Sequence, residues 1–392
     1  MSYQAIVVGA GISGAVMAER MASQLGWKVL VLDQRPHIGG NCYDEIDENG
    51  IRIHRYGPHL FHTDNNVVWE YLSQFTQWVE YEHRVLSHID GQLVPIPFNL
   101  TSIERCFEPA KAIRIIEALV DRFGEGARIP ILNLRQEQSP LLRELAEFVY
   151  DKAFVNYTSK QWGVPPEEIS PEVTARVPVV VSRDDRYFVD PWQALPSEGY
   201  TEVVRRMLDH PLIDIELGIS METRLSLDWE AQRLFLKHEG DTIPFHGKVI
   251  YTGMIDQLFA CDAGALTYRS LRFDFKTIAQ PYLQPVTTVN YPNEHAYTRI
   301  TEFKHLMFDG SRSSNTVVVY EYPKPFEADK GDEPYYPVFT EEARLAYERY
   351  MNRVEEMPGL MCVGRLAQYR YFDMDDAVSN ALSSFETLCN EL

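Results

Sequence analysis

The chain has 392 residues, 45% of them apolar, and carries 57 acidic against 37 basic side chains, for a formal charge of −20 and a pI near 5.0. That length holds two or three domains with cores of their own, and the acidic balance argues against nucleic acid or an anionic membrane surface as a non-specific partner. Five scattered cysteines with no Cys-x-x-Cys spacing, and no apolar run near the ~20 residues of a membrane span, exclude a zinc-binding cysteine pattern and a transmembrane helix and point to a reduced, cytoplasmic setting.

Tyr3 to Val8 is β-branched and apolar and stops at Gly9, the pattern of a short buried strand, with no secretory leader ahead of it. Gly9, Gly11 and Gly14 then complete G-x-G-x-x-G around Ile12 and Ser13. The first glycine permits a tight turn, the second lets a pyrophosphate approach the backbone, and the third lets the next helix pack close. That helix, Ala15 to Leu25, has Ala15, Ala18 and Ala22 on its inner side and aims its N-terminal N–H groups at phosphate. Trp27 to Leu32 reads as the second strand, ending at Asp33, whose carboxylate can accept the ribose hydroxyls of adenosine. Asp33 alone suits NAD or FAD. The further run Gly39-Gly40-Asn41 resembles the extended fingerprint of flavoproteins such as amine oxidases and glutathione-reductase-like enzymes, so the expected cofactor is FAD.

Val79 to Asn99 alternates around Asp90-Gly91, a hairpin signal. Helical periodicity follows over 110–123 and 140–154, with another helix start near Pro165. A Pro-rich extended piece (Val177-Pro-Val-Val-Val), a helix from Tyr200 and a strand-rich stretch from Leu212 come next. Lys248-Val-Ile-Tyr-Thr-Gly253 is a buried strand that returns the chain to the nucleotide domain. Antiparallel alternation over 259–325, a helix at 340–355, the strand Leu360-Met-Cys-Val-Gly-Arg365 and a C-terminal helix from Asp375 complete the chain. The expected fold is α/β: an interrupted FAD-binding Rossmann-like domain (1–78, 212–258, 356–392), a helical insertion (102–170) and an antiparallel β-sheet substrate domain (79–101, 171–211, 259–355).

There is no second G-x-G-x-x-G, which argues mildly against an enzyme that docks NADPH tightly. No metal-ligand spacing and no nucleophile elbow occurs, so the cofactor is a better candidate than a side chain for covalent chemistry. His54, His59 and His62 crowd Ile53-His-Arg-Tyr-Gly-Pro-His-Leu-Phe-His. They read equally as loop histidines held by the backbone or as a rigid turn presenting His59 and His62 to a ligand. Arg176 and Arg299 lie in separate segments and could clamp a diphosphate with planar forks, although a lone arginine is more often a surface ion pair. Phe154, Tyr157, Trp162, Tyr187, Tyr336 and Tyr371 could stack on a base or sugar. Phe154 reads better as core, Tyr336 and Tyr371 better as site residues. The 22 tyrosines, many beside Arg, Asp or Pro, hint at a polar, aromatic-lined cleft.

Taken in order, Gly57-Pro-His-Leu-Phe-His-Thr63, Tyr157-Thr-Ser-Lys-Gln-Trp-Gly163, Asn290-Tyr, Tyr297-Thr-Arg-Ile-Thr-Glu302, Glu321-Tyr, Glu333-Pro-Tyr-Tyr-Pro337 and Gly364-Arg-Leu with Tyr371-Phe-Asp-Met374 resemble prokaryotic UDP-galactopyranose mutases along nearly the whole chain. The resemblance implies a homodimeric flavoenzyme that interconverts UDP-galactopyranose and UDP-galactofuranose on reduced FAD with no net redox change. In that family flavin N5 attacks the anomeric carbon, UDP leaves, and the sugar–flavin adduct opens to an iminium and recloses through the 4-hydroxyl. It implies that Arg176, on a loop that closes over substrate, and Arg299 bind the diphosphate, with Tyr187, Tyr336 and Tyr371 donating to it. Phe154, Tyr157 and Asn290 would hold the nucleotide. Trp162, His59, His62, Glu321 and Asp373 would line the sugar and flavin region, and Arg365, Tyr371, Asp373 and Met374 would contact the cofactor. His62 fits the galactose enzyme, whereas relatives acting on the N-acetylated sugar place arginine in this region. A flavin oxidoreductase of the amine-oxidase type is the competing class, and a flavin-free protein on the same fold is a third.

Overall fold

The computed structural model describes residues 3–163, 178–238, 240–308 and 313–392. Arg176 and the helix expected near Pro165 lie outside the described residues. Among these residues, no helix is long and apolar enough to cross a membrane.

Five parallel strands run in the order Ile213–Leu217, Val29–Asp33, Ala5–Val8, Lys248–Tyr251 and Leu360–Cys362. The chain therefore leaves this sheet after Val29–Asp33 and returns to it three times, the interruption the sequence implies. The Ile12–Leu25 helix covers one face of it. Ala15, Ala18 and Ala22 are at most 2% exposed. Side chains this small let the C-terminal helix Met374–Asn390 approach closely, so Val378 and Ala381 join the same core. The Tyr200–Leu208 helix, grouped by sequence with the substrate domain, packs on the same Ile12–Leu25 helix through Val203, Val204 and Met207.

A seven-stranded sheet forms the second layer, in the order Tyr336–Pro337, Tyr268–Ile278, Thr316–Pro325, Arg299–Glu302, Thr288–Asn290, Val85–Ile89 and Gln92–Ile96. It is antiparallel except where Thr288–Asn290 meets Val85–Ile89. The last two strands are the expected hairpin, turned by Asp90 at φ 48° and Gly91 at φ 84°. Arg299, Glu321 and Phe273 face one another in register, so they share the inner face, while Tyr320 and Tyr322 occupy the outer one. There Tyr297 packs edge-on against both. The tyrosine surplus is thus divided between two faces rather than gathered in one cleft.

The helical insertion has its own core, built from Ile103, Ile115, Leu119, Leu134, Leu145 and Val149 among others. The expected helix over 140–154 holds only for Pro140–Val149. Tyr150–Phe154 widens to a π turn, and Val155–Trp162 then continues as α-helix to Gly163, a left-handed cap at φ 75°. A π turn adds a residue to the turn and rotates the helix beyond it. Phe154 stays in the core, whereas Tyr157 and Trp162 are only partly buried.

Candidate flavin and nucleotide-sugar site

At the carboxyl ends of the parallel strands lies a cavity of about 540 Å³. Every residue read from sequence as cofactor-binding lines it, apart from Tyr371: Gly9, Gly11, Ile12, Ser13, Gly14, Asp33, Gly39, Gly40, Asn41, His59, Gly253, Arg365, Asp373 and Met374. Its floor is almost bare main chain. A Cβ on Gly14 would lie 1.9 Å from the Gly9 carbonyl oxygen, and one on Gly40 would lie 2.8 Å from Gly11 Cα. The Gly11 and Gly39 backbones bridge directly across this crossing. The Ile12–Leu25 helix starts here with no side chain capping it, so its first N–H groups face the cavity. Asp33 Oδ2 accepts from Ala10 N–H at 2.7 Å and Oδ1 from Arg35 N–H at 2.8 Å, which orients the carboxylate and leaves lone pairs for two hydroxyls. A side-chain-free phosphate cradle, an oriented acid and a volume within the usual range for small-ligand sites fit a dinucleotide.

His59 stands at the cavity wall. Its backbone N–H donates to His54 Nδ1 at 2.9 Å, and its own Nδ1 lies 2.9 Å from the Gly57 carbonyl. A carbonyl only accepts, so the proton sits on Nδ1 and Nε2 is left as an acceptor. Burial, then the neighbouring His54, pushes the His59 pKa down to about 3, so this ring is neutral at physiological pH. His62 does not line the cavity: it donates to Asp190 at 3.0 Å and stacks on Phe188 at 3.6 Å. Asp373 caps the C-terminal helix in a reciprocal box with Asp376, which sets a second helix N-terminus at the cavity wall.

The neighbouring cleft is built from side chains. Arg299 and Glu321 sit opposite each other on adjacent strands, with Arg299 Nε 2.8 Å from Glu321 Oε2 and the two side chains 25% and 1% exposed. Neither atom has an aligned hydrogen-bond partner, so the contact is an ion pair rather than a directed bond. Burial opposes the Arg299 charge, but Glu321 and the Tyr157 and Tyr336 phenols more than offset it and hold the guanidinium pKa well above its usual value. Burial raises the Tyr157 pKa to about 12 against the pull of Arg299, with Tyr187, Glu321 and Tyr336 close enough to raise it further. These five residues, each from a different segment of the chain, therefore converge. Asn290, directly across from Arg299, has a buried Oδ1 with no partner among the described residues.

Tyr336 and Tyr371 stack at 5.9 Å, Trp162 lies 6.1 and 6.5 Å from them, and the Arg365 guanidinium lies over both at 5.7 and 5.5 Å. Arg365 also lines the cavity, so this cluster joins the two halves of the site. Two expected site residues lie outside the cavity wall. Tyr371, read as contacting both cofactor and substrate, stands in the aromatic cluster and not in the cavity wall, because its ring turns to Tyr336. Phe154, read from the resemblance as a base contact, is 1% exposed and packed against Tyr150 in the insertion core, the alternative that its apolar setting favours.

The sequence reading missed His83. It is 4% exposed, packs edge-on to Tyr187 at 5.7 Å, and has its pKa lowered to about 3 by burial and then by Arg299 and His62. No local pattern in Tyr81-Glu-His-Arg84 announces it. Arg35 was missed too. It donates to Asn41 at 2.9 Å and to Glu333, closing the cavity edge against the 326–334 segment.

The sequence model for UDP-galactopyranose mutase matches residues 152–371, and that for an NAD(P)-binding Rossmann-like domain matches residues 7–75. A UDP-galactopyranose mutase of Mycoplasma pneumoniae is 36% identical, over 98% of this chain and 96% of its own. A dTDP-fucopyranose mutase of Escherichia coli is 33% identical over 96% of each chain. The crystal structure of a reduced UDP-galactopyranose mutase superposes with a TM-score of 0.76 at 16% identity, covering 100% of this chain and 95% of that one. Identity of this extent over whole chains places the protein: it belongs to the UDP-galactopyranose mutase family.

Proposed function

We propose that the protein interconverts UDP-α-D-galactopyranose and UDP-α-D-galactofuranose on FAD held in its reduced state, supplying galactofuranose for cell-surface polysaccharide. The observation that carries this reading is the buried Arg299–Glu321 pair, ringed by Tyr157, Tyr187 and Tyr336 beside a dinucleotide cavity. Bound there, the reduced flavin would supply the nucleophile toward the anomeric carbon. The chain's own residues would do the rest. Breaking the anomeric bond leaves negative charge on a diphosphate, and fixed guanidinium and phenol donors stabilise charge where it develops. Glu321 holds Arg299 in place without consuming its whole fork, since the ion pair uses Nε. UDP kept on these donors stays close for the return step. Asn290 Oδ1 would accept from the nucleotide, and Trp162 with the Tyr336–Tyr371 stack would wall the sugar off from water. Arg176 would complete the diphosphate clamp. We read the working unit as a cytoplasmic homodimer.

An amine-oxidase-like oxidoreductase would call for an apolar cage where this cleft holds a cation and phenols. The test is turnover of UDP-galactofuranose by the dithionite-reduced protein, followed by chromatography, with dTDP-fucofuranose as the parallel substrate. Conversion of the uridine sugar supports the reading. Conversion of the thymidine sugar alone, or of neither, overturns it.

A further inference from the structure

We propose that Lys160 and Arg269 are positioning residues for the nucleotide pocket, tying the helix that carries Tyr157 and Trp162 to the strands that carry Asn290, Arg299 and Tyr336. The proposal rests on the mutase reading above.

Lys160 lies in the last turn of the Val155–Trp162 helix. Its Nζ donates to the carbonyls of Tyr291, Asn293 and His295 at 3.3, 3.4 and 2.7 Å. All three belong to the connection between the strand ending at Asn290 and the strand beginning at Arg299. An ammonium has three donors, and here each has a main-chain acceptor. Arg269 acts at the same helix end from the other side. Its Nε donates to the Gln161 carbonyl at 3.0 Å and its Nη2 to the Lys160 carbonyl at 3.1 Å. These are carbonyls that a helix C-terminus leaves unpaired, at the negative end of its dipole. Arg269 lies opposite Tyr336 in register, and its own carbonyl accepts from Tyr335 N–H at 2.9 Å. Gly163 makes room for the arrangement: a Cβ there would lie 2.6 Å from Arg269 Nη1.

Two features separate this arrangement from ordinary capping. Arg269 is 8% exposed, and burial alone pulls its pKa down, whereas a buried arginine is normally paired with a carboxylate. Lys160 is likewise lowered by burial, with Glu294 offsetting part of it. Carbonyl dipoles are thus the principal partners of both charges. A neutral donor would cap a helix at lower desolvation cost. Cations placed here also leave net positive charge beside a pocket built for a diphosphate. The four segments bearing the candidate substrate residues therefore meet at two cations, and their spacing depends on both.

The experiment measures UDP affinity by fluorescence titration, kcat and KM for UDP-galactofuranose, flavin content and Tm. It uses wild type, Lys160→Met, Arg269→Met, Arg269→Lys and Gly163→Ala, all as holoenzyme. The expected result is about a tenfold or greater rise in Kd for UDP and in KM for Lys160→Met and Arg269→Met, with flavin content unchanged and kcat the lesser effect. Arg269→Lys should recover part of the loss. Should a charge-removing variant fail to fold, Gly163→Ala keeps both charges, displaces Arg269 and is expected to weaken UDP in the same way. Unchanged UDP affinity with a lowered Tm makes the cations structural only and overturns the proposal. A wild type that binds no UDP overturns the mutase reading and this proposal together, whereas wild-type binding with unaltered variants overturns this one alone.

Discussion

The cofactor cavity rests on a floor of glycine backbone, whereas the cleft beside it is built from side chains. Around the cavity, Gly9, Gly11, Gly14, Gly39 and Gly40 bring the chain together so tightly that a methyl group on Gly14 or Gly40 would collide with main chain, and one on Gly9 with the Thr252 side chain. In the cleft, Arg299, Glu321, Tyr157, Tyr187 and Tyr336 are delivered by strands, a helix and loops far apart in sequence. A site of the first kind has no slack, because backbone cannot move aside without dismantling the sheet. A site of the second kind can lose one group and keep its shape. Substitutions in the two regions should therefore fail differently.

The largest effect is expected at the crossing. In Gly14→Ala the new Cβ would meet the Gly9 carbonyl oxygen at 1.9 Å and Val7 Cγ1 at 3.1 Å, so helix and strand must separate where the cofactor's phosphates would lie. The variant should purify without flavin and without turnover, read from the ratio of flavin to protein absorbance. Stoichiometric flavin would erase the distinction between the regions. Arg299→Ala is its counterpart in the cleft. It should keep flavin yet lower kcat/KM by about 10³, the loss typical of one preorganised donor to developing charge. Because this also strands Glu321 as a buried carboxylate, Arg299→Lys is the cleaner probe. It keeps the charge, loses the planar fork, and should fall by about 10². Near-wild-type kcat/KM in either would mean the diphosphate lies elsewhere.

Acid should distinguish the regions less sharply. His54 and His59 beside the cavity and His83 in the cleft each have a pKa near 3, set first by burial, against 6.5 in an unfolded chain. As pH falls below 6.5 the unfolded chain binds protons that the native state refuses. Their contribution to stability is full above pH 6.5 and is lost progressively toward pH 3. The slope is about 1.4 kcal/mol per pH unit for each histidine. Denaturant titrations between pH 6 and 4 should show it, and His83→Gln should flatten that limb by about a third, leaving the larger share to the cavity pair. An unchanged slope would mean that His83 is not held neutral in the cleft.

The same contrast explains which parts of the molecule were legible in the sequence. The fingerprint from Gly9 to Asn41 is local, and each glycine has a stereochemical reason that holds in any chain, so the residues chosen there all line the cavity. The hairpin at Asp90-Gly91 was legible for the same reason. The cleft was not legible from local pattern. Arg299 pairs with Glu321 only because the register of two strands puts them face to face, and no spacing in the sequence states that register. The resemblance supplied the names, Phe154 among them, whose ring ends the π turn at 150–154 and packs in the insertion core. His83, Lys160 and Arg269 carry no motif at all. They emerge only once tertiary structure shows a buried ring against Tyr187 and two cations on main-chain carbonyls.

The smallest effect is the most discriminating, because it should run in opposite directions in the free and ligated protein. Asn290 Oδ1 is buried beside Arg299 without a hydrogen-bond partner among the described residues. An unsatisfied buried acceptor costs a free protein about 1–3 kcal/mol, so Asn290→Ala removes that cost along with the amide's packing and should leave Tm unchanged or slightly raised. If the oxygen is held for a nucleotide N–H, the same variant gives up one hydrogen bond on binding, about 1 kcal/mol, or roughly fivefold in Kd for UDP. A core residue of similar burial would lose stability and leave affinity alone. A fall in Tm with unaltered UDP binding would place Asn290 with the sheet rather than with the cleft. The boundary between scaffold and site would then run between Asn290 and Arg299, although their strands are paired.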